Sequence, residues 1–297
     1  MIESTMSSLD QFSEITKFDE PLAPYTWLKV GGPAQMLMEP RNFDELQAVV
    51  KAAHAEGVPV RILGGGSNIL VRDEGVSGIV LHLNADAFQK VQVDGNTVRA
   101  GGAAALSHVV SESVKAGLAG LETLIGIPGT IGGAVRGNAG GRHGEVGQFV
   151  ESVSVMTAKG ECFVRQGDEL SFDYRFSSIN ELLITEVTFG LSPEDPDEIA
   201  RRMHKLWIMK KSTQPLSFQS AGCIFKNPRG FSAGGMIEQA GLKGTRVGQA
   251  EVSDRHGNFI VTYEGATAAD VLNLINLVKA RVNEVHHVQL ETEIQVW

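Results

Sequence analysis

Apolar side chains recur at intervals of three and four residues in three segments of the chain, which is the spacing of one face of an α-helix. These segments are residues 104–116, 197–211 and 268–286. A fourth helix is predicted over residues 42–54, because Asn42 and Glu45 match a capping box and Gly57 follows the segment. A short fifth helix is predicted near residues 235–240.

Shorter apolar runs bounded by turn residues predict β-strands. These runs are residues 60–63, 78–83, 182–189, 258–263 and 289–296. Two hairpins are predicted, around Asp94-Gly95 and around Lys159-Gly160, because apolar residues flank both pairs and such pairs favour tight turns. The mixture of helices and strands predicts an α+β protein.

The order of these elements predicts three domains, of residues 17–83, 84–194 and 195–297. The first combines a helix with strands, and the second contains both predicted hairpins. Pro193 and Pro196 mark the boundary before the third. Residues 1–16 are polar, and we expect them to be loosely ordered.

Composition narrows the partners and the compartment. The net charge of −9 over 297 residues disfavours nucleic acid and anionic membranes, since both select for basic surfaces. Cys162 and Cys223 lie far apart, so no disulfide framework is expected and a reducing compartment is favoured. No apolar stretch reaches the roughly 20 residues of a membrane span, and no signal peptide precedes the first domain. We therefore expect a cytoplasmic protein without membrane insertion.

Two glycine-rich stretches, residues 64–68 and 126–134, are the strongest candidates for ligand binding. Glycine lets backbone amide groups approach anionic oxygens closely, and two such loops suggest an extended ligand with a pyrophosphate. The candidate residues are Gly64, Gly65, Gly66, Ser67, Asn68, Gly129, Thr130, Gly132 and Gly133. The first stretch matches neither the Rossmann fingerprint nor the Walker pattern. The alternative interpretation is a pair of tight turns without a ligand.

Three further positions carry candidate chemistry. Cys223 follows a glycine and precedes Lys226, so it is either a functional thiol or a small buried apolar residue. Arg175 lies between apolar strands and needs a partner, either a ligand or an ion pair at a domain interface. Glu291 and Glu293 lie on a predicted strand, and one of the two carboxylates is expected to point inward. The histidines and cysteines lack metal-site spacing, and no metal is expected.

Several segments, taken in order, resemble the UDP-N-acetylenolpyruvoylglucosamine reductase family, flavoenzymes of bacterial peptidoglycan precursor synthesis. The matching segments are Thr26-Trp27-Leu28-Lys29-Val30-Gly31-Gly32, residues 64–71, residues 117–140, Tyr174-Arg175-Phe176-Ser177, residues 221–228, residues 236–244 and Leu290-Glu291-Thr292-Glu293. The resemblance implies an FAD-binding fold of the vanillyl-alcohol-oxidase type. Its two subdomains would be residues 17–83 and 84–194, followed by a substrate domain over residues 195–297.

The resemblance also implies the cofactors. The two glycine stretches would bind the FAD pyrophosphate, and NADPH would be the co-substrate. Some relatives attach the flavin to a histidine after the first loop. Ser67-Asn68 stands there in this chain, so noncovalent FAD is expected.

The implied reaction reduces UDP-N-acetylglucosamine enolpyruvate by a hydride from flavin N5 and a proton from a general acid. The resemblance places the general acid at Cys223, where serine is commoner, and the two other catalytic groups at Arg175 and Glu293. Substrate contacts are implied for Tyr174, Asn227 and Gln239. A thiol, with an ordinary pKa of about 8.5, remains mostly protonated at pH 7. Lys226 is predicted to lower the pKa of Cys223.

The run from residue 177 to residue 188 is too short for an extra tyrosine loop that one branch of the family carries, so the chain resembles the shorter branch. The family is typically monomeric. Two alternatives stay open, an oxidase of the same fold acting on a sugar or lactone and a non-catalytic protein that binds a sugar nucleotide.

Overall fold

A computed structural model describes residues 8–297, which form two compact units. The larger unit comprises residues 8–20, 34–65 and 77–204, and the smaller unit comprises residues 21–33, 66–76 and 205–297. Both units contain helices and strands, so the predicted α+β class is confirmed.

Six α-helices occur within the described residues. They are α1 (Phe43–Glu56), α2 (Leu106–Lys115), α3 (Ile131–Arg136), α4 (Pro196–Thr213), α5 (Ala233–Gln239) and α6 (Ala268–His286). Short 3₁₀ helices lie at Asp10–Ile15, Ala23–Tyr25, Asp86–Phe88, Leu121–Leu124, Val146–Phe149 and Gly167–Glu169. All five predicted helices are present, and the predicted bounds of residues 268–286 agree with α6 at both ends.

The strands in chain order are β1 (Thr16–Pro21), β2 (Pro33–Met38), β3 (Val60–Leu63), β4 (Ile69–Leu70), β5 (Val76–His82), β6 (Val91–Asp94), β7 (Thr97–Gly101), β8 (Leu118–Ala119), β9 (Gly140–Gly141), β10 (Gly144–Glu145), β11 (Val150–Met156), β12 (Cys162–Gln166), β13 (Phe172–Asp173), β14 (Phe176–Ser177), β15 (Leu183–Gly190), β16 (Ser192–Pro193), β17 (Arg246–Val247), β18 (Ala250–Val252), β19 (Ile260–Thr262) and β20 (Gln295–Val296). Both predicted hairpins are confirmed, as β6–β7 and β11–β12.

Helix termini follow the expected capping chemistry. The Asn42 side chain accepts a hydrogen bond from the Glu45 amide at 2.9 Å, and Gly57 ends α1 in the left-handed region. The Glu45 carboxylate accepts from the Arg41 amide, so only half of the predicted capping box forms. At α6, Thr267 forms a complete capping box with the third helical residue.

The larger unit contains two main sheets, of four and five strands, each beside its own apolar core, and three two-stranded sheets. In the four-stranded sheet, of order β1-β2-β5-β3, strands β3 and β5 are parallel, and α1 contributes four buried residues to the adjoining core. The five-stranded antiparallel sheet, of order β12-β11-β15-β7-β6, shares the second core with α2 and α3. The amphipathic faces predicted from sequence therefore bury against these sheets.

The smaller unit is built around α6 and the antiparallel sheet β17-β18-β19. Five apolar residues of α6 are almost fully buried, at Val271, Leu274, Ile275, Val278 and Val282. The Asp73 carboxylate accepts from the amides of Ala268 and Ala269, both at 2.9 Å, and so holds residues 66–76 to the start of α6. Strand β20 pairs in parallel with β4.

This two-unit division differs from the three contiguous domains expected from sequence. Leu28, Val30 and Leu70 belong to the core of the smaller unit, which explains why their segments group with the C-terminal residues. The boundary falls after His204, ten residues beyond the expected one at 194. The division into two FAD subdomains and a substrate domain remains a prediction about function.

Two expectations about local structure need correction. The strand expected over residues 289–296 is reduced to β20 and an isolated bridge at Thr292. The expected loose N-terminus instead contains the 3₁₀ helix Asp10–Ile15, because Phe12 and Ile15 are buried in a core. Residues 1–7 of that expectation lie outside the described part of the chain.

Candidate functional site

The two glycine stretches meet through their backbones in the larger unit. A Cβ added at Gly65 would lie 2.9 Å from the Cα of Gly129, and one added at Gly64 would lie 2.7 Å from Thr130 Oγ1. Contacts this close exclude a larger side chain without movement of a neighbour. Glycine at residues 64 and 65 is therefore required by the approach of the two loops.

The same loops present backbone amides that can hold an anion. Within residues 8–297, no hydrogen-bond acceptor contacts the amides of Gly65, Gly129 or Gly133. Gly65 and Gly133 are exposed and Gly129 is half-buried, so these donors are accessible. Small residues with accessible amides suit phosphate oxygens, and this donor set therefore fits the pyrophosphate of FAD.

Other glycines of these stretches have structural partners. The Gly132 amide donates to the Gly102 carbonyl at 2.7 Å, so that amide is not available to a ligand. Gly101 and Gly102, which the sequence interpretation missed, approach the backbone of Phe88 and Ile184 too closely for a side chain. The sequence feature that could have identified them is the run of small residues that begins at the end of β7.

The rest of the first stretch belongs to the smaller unit. Gly66 has a φ of 62°, and its carbonyl accepts from the Trp27 amide at 2.9 Å. Asn68 Nδ2 donates to the Glu293 carbonyl at 3.2 Å, while the Asn68 carbonyl accepts from the Gln295 amide at 3.0 Å. Asn68 thus fastens the segment that carries Glu293. Ser67 is half-buried.

Tyr174 and Arg175 form the two-residue turn between β13 and β14 in the larger unit. Arg175 has a φ of 55°, a left-handed conformation that costs energy for a residue with a Cβ and that often marks functional sites. Its guanidinium lies 4.9 Å from the centroid of the Tyr174 ring, and Nη2 donates to the Gly140 carbonyl at 3.1 Å. Both contacts hold the cation close to the turn.

Asn138 supports this turn and was missed by the sequence interpretation. It is 1% exposed and has a φ of 43°. Its Nδ2 donates to the Asp173 carbonyl at 2.8 Å and to Glu145 at 2.9 Å, and its Oδ1 accepts from the Gly147 amide at 2.9 Å. Asn138 therefore links the second glycine stretch to the residue before Tyr174.

Cys223 and Glu293 lie on neighbouring segments of the smaller unit. The Glu293 amide donates to the Ile224 carbonyl at 2.8 Å, and Phe225 bridges to Thr292. Both Cys223 and Glu293 are half-buried, and Cys223 forms no disulfide. A thiol and a carboxylate thus occupy adjacent backbone segments.

Glu291 has a different environment from Glu293. Its side chain is 72% exposed, and it pairs with Lys226 Nζ at 2.6 Å. Glu293 is therefore the more buried of the two carboxylates. Residues two apart share one face of a regular strand, so this difference reflects the irregular backbone here, where the structure has only an isolated bridge at Thr292. Lys226 therefore has a carboxylate partner of its own. The lowering of the Cys223 pKa by Lys226 remains a prediction.

The segment after Cys223 is held on its other side by Asn258. Oδ1 of Asn258 accepts from the Phe225 amide at 2.9 Å, and Nδ2 donates to the Phe225 carbonyl at 2.8 Å. The Ile224 amide donates to the Asn258 carbonyl at 2.9 Å. The Asn258 amide in turn donates to His256 Nδ1, and burial followed by the charge of Lys243 lowers the pKa of His256.

The predicted substrate contacts are divided between the units. Asn227 is exposed, and its Oδ1 accepts from the Ala233 amide at 2.9 Å at the start of α5. Gln239 is the exposed last residue of α5. Both share the smaller unit with Cys223 and Glu293, whereas Tyr174 and Arg175 belong to the larger one.

Comparison with known proteins identifies related chains. The family model for the C-terminal domain of UDP-N-acetylenolpyruvoylglucosamine reductase matches residues 214–297, and a model of an FAD-binding domain matches residues 34–164. UDP-N-acetylenolpyruvoylglucosamine reductase 2 of Symbiobacterium thermophilum is 41% identical over 280 residues, which are 94% of this chain and 91% of that one. The Clostridium novyi reductase is 42% identical over 274 residues, covering 92% and 89%.

A solved structure agrees with these matches. The crystal structure of the reductase from Thermus caldophilus has a TM-score of 0.81 and 43% identity, covering 93% of this chain and 97% of that one. Fold, glycine loops and family models together define an FAD-dependent oxidoreductase. The chain belongs to the UDP-N-acetylenolpyruvoylglucosamine reductase family. The predicted family, FAD-binding fold and flavoenzyme class are thereby confirmed.

Between residues 8 and 297, no helix is both long enough and apolar enough to cross a membrane.

Proposed function

We propose that this chain reduces UDP-N-acetylglucosamine enolpyruvate to UDP-N-acetylmuramate, with NADPH as the reductant, as a cytoplasmic monomer. The observation that carries the proposal is the placement of Cys223 and Glu293 on adjacent hydrogen-bonded segments, within a chain about 40% identical to reductases of that name. The substrate is inferred from the names of these relatives.

The amides of Gly65, Gly129 and Gly133 hold the pyrophosphate of noncovalent FAD. When bound and reduced by NADPH, FAD supplies a hydride through its N5 atom. The amides orient the cofactor, because a phosphate group held by several fixed donors has little freedom to rotate.

Cys223 supplies the proton. The hydride goes to the methylene carbon of the enolpyruvyl group, the carbon–carbon double bond becomes single, and the neighbouring carbon takes the thiol proton. The resulting thiolate recovers a proton from solvent. A positioned general acid typically contributes about 10²–10⁴ in rate.

Arg175 stabilises the negative charge that develops on the substrate carboxylate during hydride addition. Two opposite charges about 4 Å apart at an effective dielectric constant near 20 attract by roughly 4 kcal/mol. Stabilisation of that size corresponds to about a thousandfold in rate. The contacts of Arg175 with Gly140 and Tyr174 limit its motion before substrate binds.

Glu293 orients the proton-transfer network from the segment beside Cys223. Tyr174, Asn227 and Gln239 contact the sugar nucleotide. All three are exposed, as groups that bind a soluble ligand must be. The contribution of each of these three residues to substrate binding can be measured as the change in KM of the corresponding single variant.

The test is an anaerobic two-step titration of the purified protein. NADPH should bleach the flavin absorbance, and UDP-N-acetylglucosamine enolpyruvate should restore it within seconds without oxygen. UDP-N-acetylglucosamine, which lacks the enolpyruvyl group, is the matched control and should leave the flavin reduced. A flavin that is reoxidised only by air would contradict the proposal and favour an oxidase.

A further inference from the structure

We propose that Asn258 is the positioning residue that fixes the Cys223 thiol for proton transfer, by clamping the backbone of Phe225. The inference rests on the proposed function, in which Cys223 is the general acid. The Asn258 side chain bonds to the backbone of Phe225, and its role is to hold the segment from which the thiol projects.

The clamp uses both polar ends of one side-chain amide. Oδ1 and Nδ2 of Asn258 engage the N–H and C=O of the same residue, Phe225, at 2.9 and 2.8 Å. This pattern reproduces the paired hydrogen bonds of an antiparallel strand. Asn258 is 3% exposed and Phe225 is 2% exposed, so no solvent competes for these bonds.

Asn258 and the segment that carries Glu293 bond to opposite edges of residues 224–226. On the Glu293 side the Lys226 amide donates to the Glu291 carbonyl at 2.9 Å, and the Ile224 carbonyl accepts from the Glu293 amide at 2.8 Å. Residues 224–226 are therefore bonded along both edges. Loss of the Asn258 side chain would remove both bonds to Phe225 and weaken that edge, where the Ile224 amide would still donate to the Asn258 carbonyl and Cys223 would still bridge to Phe259.

Small displacements of a proton donor have large kinetic effects. A misplacement of about 1 Å can cost about 10²-fold in rate, because the donor no longer reaches the carbon in the correct line. Releasing the Phe225 backbone moves a residue only two positions from Cys223. The expected defect is therefore in the protonation step, with flavin reduction unaffected.

The experiment compares the two half-reactions of the holoenzyme in Asn258→Ala. Reoxidation of the reduced flavin by substrate should slow by about 10²-fold, while reduction by NADPH and the fraction of bound FAD stay within about twofold of the wild type. Thr262→Val is the matched control, since Thr262 is also buried in this unit and donates to the Leu28 carbonyl at 2.7 Å. It should leave both half-reactions unchanged.

A double-mutant cycle separates positioning from general destabilisation. In a Cys223→Ala background, Asn258→Ala should cause no further slowing, because there is no thiol left to place. Equal slowing in both backgrounds would overturn the proposal. If Cys223→Ala reoxidises the reduced flavin with substrate as fast as the wild type does, Cys223 is not the general acid. That result would contradict both the proposed function of Cys223 and this inference.

A second readout is independent of turnover. In a Cys162→Ser background only Cys223 remains, so iodoacetamide alkylation reports on that thiol alone. Asn258→Ala should change its alkylation rate severalfold, and Thr262→Val should not. If Asn258→Ala does not fold, Asn258→Asp retains the Oδ1 acceptor and should show an intermediate defect. An unchanged alkylation rate in the folded variant would contradict the clamp.

Discussion

The Arg175 turn, residues 174–175, and the Cys223 segment, residues 223–226, are supported in opposite ways. Arg175 lies in a two-residue turn beside Tyr174, which is 40% exposed, and its own backbone is in the left-handed region. Cys223 precedes two fully buried residues, Ile224 and Phe225, whose backbones are bonded on both edges. Arg175, the proposed charge-stabilising group, is therefore placed by side-chain contacts, and Cys223, the proposed proton donor, is placed by its backbone.

The difference matches the demands of the two tasks. Attraction between charges falls slowly with distance, so an arginine can tolerate small movements of an exposed turn. Proton transfer needs the donor within hydrogen-bond reach of one atom, so a more rigid support is required. The following predictions test this contrast, beginning with the largest expected effect.

Removal of the proton donor should have the largest effect. Cys223→Ala is expected to slow reoxidation of the reduced flavin by substrate about 10³-fold, the central value for a general acid. Stopped-flow absorbance under anaerobic conditions measures it. Cys162→Ala, at the exposed second cysteine, is the control and should react at the wild-type rate. Equal rates for both variants would remove Cys223 from the mechanism.

Arg175→Lys should have the next largest effect, because it keeps the charge but loses the planar fork that contacts Gly140 and the Tyr174 ring. We expect reoxidation to slow about 10²-fold, less than the roughly thousandfold worth of the full charge interaction. Arg99→Lys, on the five-stranded sheet beside Glu186, is a control for arginine replacement in general. A normal rate for Arg175→Lys would show that only charge matters.

Asn138→Ala should weaken the Arg175 turn without touching the Cys223 segment. Three hydrogen bonds from a buried amide are lost, and each buried group left without a partner costs about 1–3 kcal/mol. We expect a lower midpoint of urea unfolding and a reoxidation rate reduced about tenfold, less than for Arg175→Lys. A variant with normal rate but reduced stability would confine Asn138 to a structural role.

A lower pH should reduce the local stability of the Cys223 segment more than that of the Arg175 turn. The folded-state pKa of His256 is lowered, chiefly by burial and then by Lys243, so its contribution to stability is complete above the unfolded value of about 6.5. That contribution is lost as pH falls through the lower folded value. Amide-exchange protection factors at residues 223–226 should therefore decrease between pH 7.5 and 5.5. They should decrease less at residues 172–177.

His256→Gln is the control for this pH effect. Glutamine does not titrate, so the change in protection between the two pH values should disappear in the variant. An equal loss at both segments in the wild type would contradict the assignment to His256.

Local patterns predicted most of the helices and several strands. Helix α6 and strand β3 matched their predicted bounds, because the apolar spacing and the terminating residues are contained in the segment itself. The strand at residues 289–296 was predicted too long. Its pairing depends on β4, more than 200 residues earlier, and this partner cannot be identified from periodicity.

The candidate site was predicted only in part, for a similar physical reason. Cys223, Arg175 and Glu293 stand out by residue type and by family resemblance. Asn138 and Asn258 do not, because an asparagine becomes informative only when its hydrogen-bond partners, 35 and 33 residues away, are known. The grouping of residues 66–76 with the C-terminal part likewise depends on a shared core.

The most direct test of the central claim is the pH dependence of flavin reoxidation by substrate, compared between the wild type and Cys223→Ser. A thiol loses its proton in the alkaline range and a serine hydroxyl does not, so the wild-type rate should fall as pH rises while the variant rate stays level. Identical profiles for the two proteins would contradict the claim that Cys223 delivers the proton.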